Sequence, residues 1–347
     1  MTQRHSPHPG RCGHHQRGAA ILLAMLIVTL VATLSAAALW QQWRGVEIET
    51  AERERLQSAW ILQGALDWAR LILREDARAG STDHLAEPWA VPLQEARLST
   101  FLASTQGATD TTEPMHNVFL SGGITDLQSR LNVANLVQGG QPQATSVQIF
   151  ARLFSALDLP EAELLGLIDQ LQQAQLALVA QQTQPGDVKK TTSAASATSS
   201  GNSSQTAPLL PATLSQLAWL GLSPRTLTLL QPYVTVLPQR TLVNINTASA
   251  LVLHASMPKL SLADAQKLVT ARAQNHFRTL SDATKVLNNP DQVLNESLHS
   301  VNSSYFEVQA ALRVDQRQVF ERAVVQRDGL QVNTLERTRF AGSASVQ

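Results

Sequence analysis

Residues 18–40 read GAAILLAMLIVTLVATLSAAALW, and no charged side chain occurs from Ala19 to Trp40. As a helix with about 1.5 Å rise per residue, that run covers roughly 33 Å, the thickness of a bilayer's hydrocarbon core. Arg4, Arg11 and Arg17 precede it, interleaved with four histidines and no acidic residue. Basic residues are retained on the cytoplasmic side, so the N-terminus is expected to stay inside and the body to be exported. Trp40 and Trp43 stand at the far end, where aromatic rings favour the membrane–water boundary. A cleaved secretory signal has a shorter apolar core ending at a small-x-small site, so the run is read as a spanning helix. No second stretch of this kind follows, which predicts a single pass.

The remaining composition narrows the function classes. The 347 residues carry 27 Lys+Arg against 27 Asp+Glu, so total charge points neither to nucleic acid nor to acidic partners. The sole cysteine, Cys12, precedes the apolar helix, which leaves the exported body without a disulfide.

Beyond Trp43 the helical period continues. Leu62, Ala65, Leu66, Ala69, Ile72 and Leu73 form one apolar face, and no proline intervenes before Arg78. One helix of roughly 60 residues is expected, ending near Ala79-Gly80-Ser81. Residues 85–92 (LAEPWAVP) predict an extended loop with an anchored tryptophan. Residues 97–102 and 118–127 read as strands around a Thr-rich loop at 105–112. Helical spacing returns over 144–180, with Pro160-Glu161 at a helix start. Residues 181–208 are Ser/Thr/Ala/Gly/Gln-rich without an aromatic and predict a disordered loop. Further helices follow, with Ser223-Pro224, Thr247 and Ser261 as predicted caps.

From Tyr305 the period becomes two: Phe306, Val308, Ala310, Leu312 and Val314 alternate with polar or small neighbours. Residues 319–326 and 330–339 are two further strands around Asp328-Gly329, a hairpin turn signal. The C-terminus is therefore an antiparallel meander. With the strands near 97–127 it predicts one sheet against the long helix, and the helical region of roughly 135–300 becomes an insertion between strands.

No enzyme constellation appears: no His-Glu-x-x-His, no Gly-rich phosphate loop, no nucleophile elbow. Asp83-His84, the nearest acid/base pair, is read as solvated surface beside a helix end. Residues 242–280 resemble a helix-hairpin-helix module, opening Val243-Asn244-Ile245-Asn246-Thr247-Ala248 and closing Phe277-Arg278-Thr279-Leu280. DNA-binding hairpins use turn glycines to bring backbone amides to phosphate, whereas this turn is Met257-Pro258-Lys259-Leu260-Ser261. A structural or protein-contact role is expected there; a membrane-anchored DNA-binding or uptake protein is the alternative function. Asp126 and Asp169 are candidate calcium ligands, but no closed Asp-x-Asp-x-Asp-Gly loop surrounds them.

Several stretches together carry a likeness to one family. They are Arg17-Gly18 before the apolar helix, Asp83-His84-Leu85-Ala86-Glu87-Pro88-Trp89-Ala90, the segment from Asp126 through Gln128, Arg130 and Asn132 to Asn135, and Val243–Ala248. Over nearly its whole length the chain resembles the K-type minor pseudopilins of the bacterial type II secretion system. The resemblance implies an α+β, pilin-like fold: a long N-terminal transmembrane helix packed on a small antiparallel sheet, with a large mostly helical domain inserted between strands. It divides the chain into a basic leader (1–18), an assembly helix (19–43), the first part of the body (44–134), the insertion (135–300) and C-terminal strands (301–347).

It further implies cleavage after Gly18 and methylation of Ala19 by a prepilin peptidase. The subunit would assemble with I- and J-type minor pseudopilins, the major pseudopilin and the inner-membrane secretion platform. It would cap and initiate a periplasmic pseudopilus that drives exoproteins across the outer membrane. Two departures matter. Most pilins carry Glu at the fifth mature position, which here is Leu23. The family's acidic, calcium-feeding run after Asp169 is replaced by the Ser/Thr tract at 190–205, so no cofactor is expected.

Overall fold

The computed structural model describes residues 17–80, 82–99, 117–182, 208–287, 294–315 and 317–343. The expected leader up to residue 16, the Thr-rich loop at 105–112 and residues 183–207 of the predicted disordered loop lie outside them. The chain divides into two units, one ending at Ile61 and one beginning at Leu62.

Helix α1 runs Arg17–Ala79 without a break, as its proline-free sequence allows. In the first unit its apolar residues are solvent-facing; Leu22, Leu26 and Leu34 are all more than 60 % exposed. α1 is the one helix among the described residues long and apolar enough to cross a membrane, with a mean hydropathy of 2.5 over its 18-residue apolar window.

In the second unit the same helix becomes amphipathic. Leu62, Leu66, Ala69 and Leu73 are buried at helical spacing, while Leu71 on the opposite side stays exposed. The buried stripe packs on a five-stranded antiparallel sheet: β1 (Leu93–Arg97), β2 (Val118–Asp126), β3 (Tyr305–Val314), β4 (Arg317–Asp328) and β5 (Gln331–Ser343). Spatial order follows chain order, so every hydrogen-bonded neighbour is also the next strand of the sheet. Phe306, Val308, Ala323 and Val325 meet α1, and Trp89 stands edge-on to Phe306 with centroids 5.2 Å apart.

Gly122 is required where β2 and β3 approach, because a Cβ there would collide with the Gln309 carbonyl. Gly329, at φ 55°, turns the β4–β5 hairpin next to Asp328 as the sequence indicated. Two expected boundaries move. The first strand is Leu93–Arg97, whose pairing with β2 ends at Arg97 opposite Phe119, while residues 100–102 of the expected strand lie outside the described residues. The last strand extends to Ser343, which pairs with Arg317, and the ladder is interrupted only by a register shift between Val324 and Val325.

The described residues between 127 and 304, which connect β2 to β3, build a second, larger core. Its helices are α2 (Ala144–Ala156), α3 (Glu161–Gln182), α4 (Pro224–Leu230), α5 (Ala250–Ser256), α6 (Leu262–Gln274) and α7 (Leu280–Leu287). Ser223 and Ser261 cap α4 and α6 as predicted, each hydroxyl accepting from the third backbone amide onward. The expected cap of α5 is corrected: Ser249, not Thr247, accepts from Val252 N, and the Thr247 hydroxyl is committed elsewhere. Met257 and Leu260, in the glycine-free hairpin turn, are buried in this core. Tyr305 with Leu127 and Leu237 covers the second face of the sheet, so the start of β3 is buried on both sides.

Leu73 is fully buried between α1 and the sheet, while Leu71 is 42 % exposed. Leu73→Ala is expected to destabilise the protein by about 2–5 kcal/mol in urea unfolding, and Leu71→Ala by no more than about 0.5 kcal/mol. Equal losses would place the packing on the wrong face of the helix.

Candidate functional site

The residues predicted from sequence fall in two places. Gly18, Ala19 and Leu23 all lie at the start of α1, and Leu23 is 61 % exposed with no charged group in its place. The Asp83–Ala90 element, the Asp126–Asn135 run and the 243–248 run converge instead on one buried polar seam. That seam joins α1, the sheet and the inserted helical region.

At its centre is Arg327 near the end of β4. Its guanidinium donates to Asp76 Oδ2 at 2.7 Å, to Asp83 at 2.5 and 2.7 Å, and to the Ser303 carbonyl at 2.8 Å. The charged plane lies 4.9 Å from the centroid of the Phe306 ring. One side chain thereby ties the end of α1, the loop after it and the start of β3. Asp83 also accepts from Ser303 N at 2.6 Å. Burial raises the Asp83 carboxyl above its usual value against the opposing pull of Arg327. Asp76 is raised by burial and by the charge of Glu87. Asp83 is 1 % exposed, so the expectation of solvated surface is corrected. A carboxylate at a helix end reads as surface unless a buried cation waits for it.

The second node is Asp126, at the end of β2. Oδ1 accepts from Gln128 N at 2.7 Å; Oδ2 accepts from Thr247 Oγ1 at 2.5 Å, Ser303 Oγ at 2.7 Å and Asn244 Nδ2 at 3.2 Å. Burial pushes its carboxyl up to about 6. Asn244 reaches across to the Asp83 carbonyl at 3.1 Å, which links the two nodes. The rest of the run stitches side chain to backbone. Gln128 donates to Leu242 O and accepts from Ser304 N. Asn132 bonds Gln239 O, Thr241 Oγ1 and Leu237 N. Asn135 closes a two-bond pair with the backbone of Thr241. These amides satisfy buried loop backbone that no strand or helix pairs.

The 243–280 hairpin is fixed by the same means. Asn246 exchanges two 2.9 Å bonds with the backbone of Phe277, and Arg272 donates to Ile245 O at 2.6 Å. Burial pushes Arg272 down to about 10. Glu87 accepts from Trp89 Nε1 at 2.6 Å and from His84 N at 3.0 Å, which anchors the buried ring. The flanking His84 stacks on His276 at 3.7 Å.

As cation sites these residues do not fit. Among the described residues the carboxylates of Asp76, Asp83 and Glu87 lie within 4.8 Å of one another, but Arg327 already bonds the first two. The oxygens of Asp126 are taken by four protein donors. Asp169 is exposed on α3, where it accepts from Gln173 at 2.9 Å. The seam is an assembly of satisfied structural bonds, with no nucleophile–base pair aimed into a cleft.

Arg327 was not among the residues singled out from sequence, yet a signal exists. Ala323, Val325 and Arg327 share one face of β4, so the alternation that buries the first two points a guanidinium into the core. A core-facing arginine demands a buried acid, and Asp83 is that acid.

A long apolar helix that becomes the packing helix of an antiparallel meander, with a helical region between its second and third strands, defines a membrane-anchored, pilin-like subunit. Profiles described as type II secretion system protein K match residues 129–239 and 243–302. The chain is 28 % identical over 314 residues to the type II secretion system protein K of Pseudomonas aeruginosa, covering 88 % of this chain and 87 % of that one. It is 27 % identical over 337 residues to the protein of the same name from Klebsiella pneumoniae, covering 93 % and 96 %. A chain in the crystal structure of the GspK-GspI-GspJ complex from the enterotoxigenic Escherichia coli type 2 secretion system shares the fold. There the TM-score is 0.53 and the identity 17 %, over 84 % of this chain and 98 % of that one. Over most of its length the chain is thus similar to protein K of the type II secretion system.

Replacing Arg327 by Met leaves two buried carboxylates without their cation, and a loss of about 3–5 kcal/mol at pH 7 is expected. Both carboxyls already have raised folded-state values, and removing Arg327 raises them further. Their protonated forms are therefore favoured by folding. The deficit relative to wild type is largest at neutral pH and shrinks as the pH falls through those raised values. Urea unfolding from pH 7 to 4 checks this; a deficit constant with pH would contradict it.

Proposed function

We propose that this chain is a minor pseudopilin that initiates and caps a periplasmic pseudopilus serving exoprotein release. Its N-terminus would be cytoplasmic and its body periplasmic. A prepilin peptidase would cut after Gly18 and methylate the Ala19 amine. The freed helix would then leave the bilayer to pack in the fibre. The solved relative is in complex with GspI and GspJ, and by that likeness the I- and J-type minor pseudopilins are the proposed neighbours. The major pseudopilin and the inner-membrane platform complete the assembly.

The observation that carries the tip position is Leu23. Within the fibre or the bilayer, a glutamate there would need a neighbour's terminal amine as partner, because an unpaired carboxylate in apolar surroundings is costly. A subunit with nothing above it has no such amine to meet, so an apolar side chain suits the end of the fibre. The exposed, uncharged stretch at 19–43 supports the assembly reading, since such a surface needs either lipid or other helices around it.

Deleting the chain is expected to leave exoproteins in the periplasm, read by immunoblots of periplasmic and culture fractions; normal release would overturn the proposal. Leu23→Glu is expected to leave secretion unchanged or lower it, and improved secretion would remove the tip assignment. The subunit is further proposed to work without resident calcium. Calorimetric titration of the detergent-solubilised protein should show no micromolar calcium binding, and a micromolar isotherm would contradict this.

A further inference from the structure

Arg272 repeats on α6 the pattern of Arg327 on β4, with one part missing. Ala265 and Leu268 are the buried residues of α6, and Arg272 stands seven and four positions beyond them on the same face. Helical periodicity therefore turns a guanidinium toward the body. Arg327 meets two acids there, whereas Arg272 meets a backbone carbonyl. Among the described residues its one hydrogen bond runs from Nη1 to Ile245 O at 2.6 Å, which leaves Nε and Nη2 unbonded. Burial alone pushes Arg272 down to about 10, with no carboxylate pulling the other way.

Arg272 lines a cleft of about 370 Å³ between the loop after α1 and the end of α6. Leu85 and Val269 give it apolar walls, while His84, Asn275 and His276 add polar groups. No acidic side chain is among the described residues that line it. Glu87 lies outside the lining and is bonded to Trp89 Nε1 and His84 N; its pull on His276 is opposed by Arg278. His84 is not placed to ligate a metal ion. Its Nδ1 accepts from Ala86 N at 3.3 Å, so the neutral ring carries its proton on Nε2, which faces Glu87 at 3.7 Å. The cleft thus offers a cation and donors, and it calls for an anion.

We infer that this cleft binds a small organic acid, with its carboxylate on Nε and Nη2 of Arg272 and a short aliphatic body between Leu85 and Val269. Those two nitrogens form one side of the planar fork and suit a carboxylate in two-point contact. The ligand supplies the acid that the chain withholds from Arg272. His276 makes no hydrogen bond among the described residues and brings a further N–H to the cleft. The apolar walls and a volume within the range of small-molecule sites, about 300–1,000 Å³, favour an organic acid over an inorganic anion. The inference is independent of the secretion role, and its failure would leave that role untouched.

The test titrates carboxyl-13C-labelled butyrate, and butyramide labelled at the matching carbon, into the full-length protein in detergent at low salt. Broadening of the 13C line reports binding. Butyrate should bind about tenfold tighter than its neutral isostere. Arg272→Gln, with an unchanged thermal unfolding midpoint, should abolish the preference. Arg272→Lys, which keeps the charge without the fork, should retain part of it. Leu85 is 56 % exposed, so Leu85→Glu places an acid in the cleft without disturbing the core. It should lower butyrate affinity about tenfold, and Leu85→Gln should lower it far less. Three results would overturn the inference. They are equal binding of butyrate and butyramide, displacement of butyrate by inorganic phosphate at equal concentration, and a preference that survives Arg272→Gln or, should that variant not fold, Leu85→Glu.

Discussion

Arg327 is the constraint on which the rest of the body depends. A guanidinium cannot be deprotonated to escape burial, so its position forces acids to come to it. Asp76 reaches it from α1, Asp83 from the loop beyond and the Ser303 carbonyl from the entry to β3. These contacts fix where α1 ends against the sheet and where the inserted region returns to it. The apolar packing of Leu66, Leu73, Phe306 and Val325 supplies the larger share of the stabilising energy, but apolar contacts alone allow sliding. A buried ion pair with directional bonds does not, because any slip leaves a charge unpaired.

Asp126 serves the insertion as Arg327 serves the sheet. Its four donors come from Gln128, Asn244, Thr247 and Ser303, which belong to three separated parts of the chain. The inserted helices are thus held to the sheet by side-chain bonds as well as by the small apolar cluster of Leu127, Leu237 and Tyr305. Cys12 is the only cysteine, so no intrachain disulfide can reinforce this seam, which is made of side-chain bonds alone.

Much of this architecture was legible from periodicity. The uncharged run at 19–40, the 3.6-residue stripe from Leu62 to Leu73 and the two-residue alternation from Phe306 all reappear as an exposed helix, a packed helix and a core strand. What stayed hidden depended on contacts between residues far apart in sequence. Asp83 looks like surface because nothing within ten residues pairs with it; its partner is Arg327. Thr247 looks like a helix cap because a hydroxyl before a helix usually is one, yet Asp126 recruits it and Ser249 takes the cap. Glu307 falls in the polar phase of β3 but is buried, since the insertion covers the face that alternation alone assigns to water.

The central claim is that helix, sheet and insertion form one cooperative body through the seam at Arg327 and Asp126. Native-state amide hydrogen exchange of the full-length protein in detergent measures it directly, because residues that open together share one opening free energy. The slowest amides of α1 near Leu73, of β3 and β4, and of α5 and α6 should exchange with a common free energy that equals global unfolding. Arg327→Met should then split the insertion from the sheet into separate opening events. If the insertion's core amides open at a distinctly lower free energy in the wild-type protein, the seam does not couple the parts and the account is wrong.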